Sequence, residues 1–322
     1  MRKIEQTQKP DNIKILLDFA HGKTGKIVFR DVVLTDLKKL KEAYQRYDLE
    51  FSNPILICET SMQVKDSAKI LLKKYNSAKS IQSLQFIEQR RKHHNFVCCP
   101  FCGGSGQFTL DHYLPKEKGY GHFSVLSDNL IPCCSFCQNI KETKIPKTNT
   151  NRIIHPYFDN INQLVTLAII TTIDPIDILT STFEFMTIPN IYNNGLHDAH
   201  CITYAEQLQN AHIELMELNT RIDIRRNLET AWRSIISGAA AEWEKNTTSA
   251  KAYVLQQGES LMKGHKSDDD VELLPISYKI ALHIGILYDN KCLAAIDNNS
   301  IKQLTIPKTP SLFKKILQPL NI

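Results

Sequence analysis

Two Cys-x-x-Cys pairs, Cys99/Cys102 and Cys134/Cys137, flank an adjacent Asp111-His112 in this sequence. Two intervening residues form a tight turn that brings both sulfurs of a pair to one side, and four thiolates at tetrahedral geometry make a structural zinc site. A thioredoxin-like redox pair needs only one such motif and leaves the second without a role. The first cysteine of each pair is doubled, as Cys98-Cys99 and Cys133-Cys134. Cys99 and Cys134 keep the two-residue gap to Cys102 and Cys137, so they are the expected ligands. Cys98 and Cys133 then read as small buried hydrophobes or reduced thiols beside the site.

Asp and His offer different chemistry. An imidazole takes a proton from water near neutral pH, and a carboxylate beside it holds a hard divalent cation against a phosphate. Phe108-Thr109-Leu110 favours a strand and Leu114-Pro115 ends it, so Asp111-His112 stands where a strand gives way to a loop.

Taken in order, Cys99, Cys102, Asp111, His112, Pro115, Asn129, Cys134, Cys137 and Lys141 resemble the HNH endonuclease family, the zinc-supported branch of the ββα-metal nucleases. The resemblance covers the segment from Phe96 to Asp159. It implies that His112 is the general base, that Asp111 is a ligand of a catalytic Mg²⁺ or Mn²⁺, and that Asn129 orients the loop carrying His112. The family's third catalytic position, which directly follows the last cysteine, is usually His or Asn. Here it is Gln138, with Asn139 next. Either amide oxygen can ligate Mg²⁺, and a site that has lost catalysis is the third alternative. Ile153 to Asp159 is similar to the segment downstream of the motif in some anti-phage HNH effectors, including the nuclease of Septu-type systems. That likeness implies an ATPase partner; His155 within it could enter the site or simply pack.

Positive charge near this frame suggests where a nucleic acid would lie. Lys116 and Lys118 sit in a Gly-containing loop, Lys141 closes the motif, and Lys73, Lys74, Arg90, Arg91, Lys92, His93 and His94 precede it. Such residues neutralise phosphates or form solvated faces. DNA is the expected substrate, with RNA sharing every motif.

The framework around these residues can be read from periodicity. Apolar spacing predicts helices near Asn12 to His21, Leu34 to Tyr47, Ser61 to Lys74 and Ile81 to Arg91. Leu164 to Ile173 and Phe183 to Ile188 read as strands of a hairpin, with Asp174 and Asp177 as turn residues. Helical spacing resumes from Leu196 to Trp243, then Lys251 to Met262, then Pro275 to Tyr288, with a polar linker from Gly264 to Asp270. Gly22-Lys23-Thr24-Gly25-Lys26 lacks the spacing of a phosphate-binding loop and reads as a turn.

The expected fold is therefore α+β: a zinc-stapled ββα motif flanked by mostly helical N- and C-terminal regions. The regions are 1–95 (helical), 96–160 (nuclease core), 161–195 (small β region) and 196–322 (helical). A chain of 322 residues, 42% hydrophobic and 23% charged, can bury a sizeable core. A net charge of +5 permits a polyanionic partner. No apolar run long enough for a membrane span occurs, and the first residues lack a secretory core. With nine cysteines, an odd number, this points to a reducing, cytoplasmic setting.

Overall fold

The computed structural model describes residues 9–21, 27–53, 63–92, 98–104, 107–161, 164–173, 181–189, 198–244, 250–263, 278–289, 291–292, 294 and 296. The expected turns at Gly22 to Lys26 and at Asp174 and Asp177, the linker at Gly264 to Asp270, and His93 and His94 lie outside them. Helices and strands are mixed, as an α+β chain requires. Two compact units form, one mainly from residues 3–159 and the other mainly from residues 160–322.

In the first unit, α1 (Asn12–His21), α2 (Ile27–Gln45), α3 (Tyr47–Glu50), α4 (Lys65–Asn76) and α5 (Gln85–Lys92) precede β1 (Phe108–His112). Then come β2 (Leu130–Cys134) and α6 (Ser135–Lys141). Strands β1 and β2 pair antiparallel, with Thr109 opposite Cys133 and His112 opposite Leu130. Helix α6 follows β2 without a loop, because Cys134 is its N-cap and its sulfur accepts the Cys137 N–H. Arg90 of α5 is buried, and its Nη1 donates to the carbonyls of Ser127 (2.7 Å) and Leu130 (3.2 Å). Helix α4 closes on the loop between the strands: a Cβ on Gly121 would stand 3.0 Å from the Ala68 carbonyl oxygen. Glycine there lets the two backbones approach.

In the second unit, β3 (Val165–Thr172) pairs antiparallel with β4 (Thr182–Pro189). Packed with them are α7 (Ala199–Leu215), α8 (Ile222–Glu244), α9 (Ala250–Lys263) and α10 (Tyr278–Tyr288). Strand β3 is buried through Ile169 and contacts both α7 and α10. Helix α10 packs closest on it among the described helices, and a Cβ on Gly285 would fall 1.8 Å from the Ile169 carbonyl oxygen. The stretch of helical spacing from Leu196 to Trp243 forms two helices, broken at Glu217, whose φ of 56° cannot continue a helix. No described helix is long and apolar enough to cross a membrane.

Candidate metal centre and adjoining cavity

The four expected cysteines come together. The sulfurs of Cys99, Cys102, Cys134 and Cys137 lie within 4.8 Å of one another, and all four residues are buried. A tetrahedral zinc with Zn–S bonds of about 2.3 Å needs sulfurs about 3.8 Å apart, so the group can hold that ion. Backbone N–H groups support the thiolates: Gly104 N–H points at Cys102 Sγ (3.3 Å) and Cys134 N–H at Cys99 Sγ (3.4 Å). Cys98 and Cys133 fall outside the cluster. Burial pushes the Cys98 thiol up to about 12 and that of Cys133 well above its ordinary value, so both stay neutral. The doubled cysteines are thereby sorted into ligands and fillers.

Beside this staple opens a cavity of about 930 Å³, lined among others by Asp111, His112, Pro115, Lys116, Gln138 and Asn139. The residues that sequence spacing put together are thus in one place. Side chains alternate along β1, so Thr109 and Asp111 share a face, and α6 lies against it. Thr109 Oγ1 donates to Gln138 Oε1 (2.7 Å), and Lys141 Nζ pairs with Asp111 Oδ2 (2.9 Å).

His112 is 4% exposed. Its Nε2 lies 3.0 Å from the Ser124 carbonyl oxygen, an acceptor only, so Nε2 carries the proton and Nδ1 keeps a lone pair. The Tyr75 ring meets the imidazole edge-on, with centroids 4.4 Å apart. Burial pushes His112 down to about 3, and the charges of Lys116, Lys141 and Arg91 act in the same direction against the Ser124 bond. The imidazole is therefore neutral at ordinary pH. Burial pushes the Asp111 carboxyl up, while the Lys141 ammonium opposes that shift.

Asn129 ties down the loop that follows β1. Its Oδ1 accepts from the Leu114 N–H (2.8 Å) and the Tyr47 hydroxyl (2.6 Å). Its Nδ2 donates to the carbonyls of Leu114 and Phe123, each at 3.2 Å. All of these partners lie in the loop after β1 or in α3, so a single side chain fixes the path from His112 onward.

One expected contact is turned inward, and the structure sorts two further basic residues. Lys141, expected as a nucleic-acid contact, is buried with 1% of its side chain exposed; its Nζ holds Asp111 and the His112 carbonyl oxygen (2.5 Å). A lone ammonium is stable there because both partners are acceptors. Lys118 is exposed but does not line the cavity, whereas Lys116 does. His155 is fully buried among Tyr47, Phe51, Tyr113 and Phe158, away from the cavity lining, and packs.

Sequence reasoning did not single out Tyr47 or Tyr75, and it grouped Arg90 with Arg91. Tyr47 closes one helix read from the sequence and Tyr75 directly follows another, where an aromatic with a polar tip that needs a partner is the available signal.

Against known proteins, 63 residues of the chain are 40% identical to Protein ea31 of Escherichia phage lambda, covering 19% of this chain and 21% of that relative. The match thus spans about a fifth of the relative's length. No family model matches the chain, and no solved structure does.

Proposed function

We propose that this chain is a metal-dependent endonuclease of the HNH type that hydrolyses phosphodiester bonds in DNA. What carries the reading is the cavity in which a neutral, anchored imidazole stands next to a carboxylate and two side-chain amides, above a four-cysteine staple. His112 Nδ1 takes the proton of the attacking water, and its Nε2–H bond to Ser124 keeps that lone pair aimed. Lys141 holds one oxygen of Asp111, which fixes the carboxylate's orientation. Lys116 on the cavity wall offers positive charge to the phosphate. Asp111, with Gln138 or Asn139, supplies hard oxygen ligands of the type that Mg²⁺ or Mn²⁺ takes. When bound there, such a cation stabilises charge on the phosphate and on the leaving 3′ oxygen. Zinc on four thiolates has no open position and stays structural. The resemblance to defence nucleases supports an anti-phage role in which an ATPase partner licenses cutting.

A second reading is a zinc-stapled binding module without catalysis. It is favoured by the engagement of Asp111 with Lys141 and of Gln138 with Thr109, which leaves Asn139 as the exposed ligand. Cleavage of supercoiled plasmid and of RNA, in Mg²⁺ and in Mn²⁺, separates the two. Wild type is expected to cut DNA, and His112→Ala to lose about 10²- to 10⁴-fold in rate with unchanged zinc content. Equal cutting by the variant refutes the base; no cutting by wild type, alone or with an ATPase partner, favours the binding module.

A further inference from the structure

The cavity wall opposite α6 comes from outside the cysteine frame, and its chemistry is that of an anion clamp. Tyr75 lies in the last turn of α4 and Arg91 in α5, and both line the cavity with His112. Arg91 Nη2 donates to the Tyr75 hydroxyl (3.0 Å), and its Nη1 donates to Glu88 Oε1 (2.5 Å). These two bonds fix the guanidinium while leaving donors of its five N–H groups for another acceptor. The Lys116 ammonium stands 4.8 Å from the Tyr75 ring centroid, and the Arg91 guanidinium 5.4 Å from it. Two cations are thus gathered on one aromatic ring whose edge touches the proposed base. The Arg91 and Lys116 side chains are 38% and 24% exposed, open enough to meet a ligand and constrained enough not to reorganise for it. Arg90, the neighbouring cation, is turned inward, because adjacent helical residues point in directions about 100° apart.

We infer that Arg91 and Lys116, mounted on Tyr75, bind the phosphate next to the scissile one in a polynucleotide strand, so that the N-terminal helices are part of the substrate site. This rests on the phosphodiester reading of the cavity. Arg91 is a binding residue, and Tyr75 positions it.

The test uses the 322-residue chain carrying His112→Ala, expected to hold DNA without cutting it, and a 20-nucleotide single-stranded DNA across a salt series. Adding Arg91→Ala should weaken binding about tenfold at 0.1 M salt and make the slope of log K against log salt shallower by about 0.7, the loss of one phosphate contact. Tyr75→Phe keeps the ring on His112 but drops the hydroxyl, and should weaken binding less than Arg91→Ala does. Lys79→Ala, an exposed lysine away from the cavity lining, should leave the slope unchanged. Zinc content and melting temperature report folding of each variant. An Arg91→Ala slope and affinity equal to the parent's, or a Lys79→Ala effect as large, overturns the clamp. Binding that meets these expectations in a chain that never cuts leaves the clamp standing and removes the nuclease. A parent that does not bind DNA, from a wild type that does cut it, removes the clamp alone.

Discussion

The pairs β1–β2 and β3–β4 are both antiparallel, yet polar groups and sulfur hold the first while apolar packing holds the second. Between β1 and β2, residues 113–129 form a long loop of short helical turns tied by Asn129, Tyr44, Tyr47 and Arg90. Strand β3 instead buries Val165, Leu167, Ala168 and Ile169, and β4 buries Phe185 and Ile188 while Glu184 and Met186 are exposed. Apolar contact is non-directional and tolerates small shifts. Hydrogen bonds and metal ligation fix direction, which a base, a carboxylate and an amide need in order to meet in one cavity. The strands that border the cavity are accordingly the ones with directional ties.

Disrupting the four-cysteine group should break this contrast most severely. Stripping the site with a chelator, or making Cys137→Ser, should cost the first pair on the order of 10 kcal/mol and unfold its surroundings. Both tryptophans, Trp232 and Trp243, lie in the other unit, with Trp232 buried against Phe183. The expected result is loss of near-ultraviolet tyrosine dichroism with tryptophan emission unchanged; a parallel red shift in emission would show that β3–β4 depends on the staple too.

Asn129→Ala tests the polar ties themselves. It strands the Leu114 N–H, two carbonyls and the Tyr47 hydroxyl, and should lower stability by about 3 to 5 kcal/mol, with loss of cleavage. A urea midpoint close to wild type would mean that the loop is held by its apolar residues, as β3–β4 is.

The most gradual effect is in pH. His112 and His122 are both pushed down to about 3 by burial, and His155 well below its ordinary value. Unfolded histidines take up a proton near 6.5, so between about 6.5 and 3 the unfolded chain binds more protons than the folded one. The stability contributed by these neutral rings is full above 6.5 and is lost as pH falls toward 3, at about 1.4 kcal/mol per pH unit for each ring. His122→Phe, which touches no thiolate, should make that dependence shallower by about one proton in melts tracked by tyrosine dichroism. An unchanged slope would mean that His122 does not contribute to the acid sensitivity.

Much of this was legible in the sequence because it is short-range. Two-residue gaps between cysteines, the alternation in Phe183 to Ile188, and the apolar spacing of α1, α4 and α9 depend only on local geometry, and each emerges close to where periodicity put it. The break between α7 and α8 was not legible, because a single positive-φ residue, Glu217, interrupts an otherwise continuous apolar pattern. Charge was the least legible property. Arg90, Arg91 and Lys141 have the same sign in the sequence, yet one braces a loop from within, one faces the cavity, and one is sealed behind Asp111.

Which sulfurs can share a metal, where the strand bearing Asp111 and His112 ends, and which stretches are helices are all set by the order of residues along the chain. Only folding made Lys141 an internal partner, brought Tyr47 to Asn129 across 82 positions, and stood Tyr75 and Arg91 beside His112. The physical reason is range: chelate bite and backbone period are set by neighbouring residues, whereas burial and the fate of a charge are set by whatever distant segment folds against it.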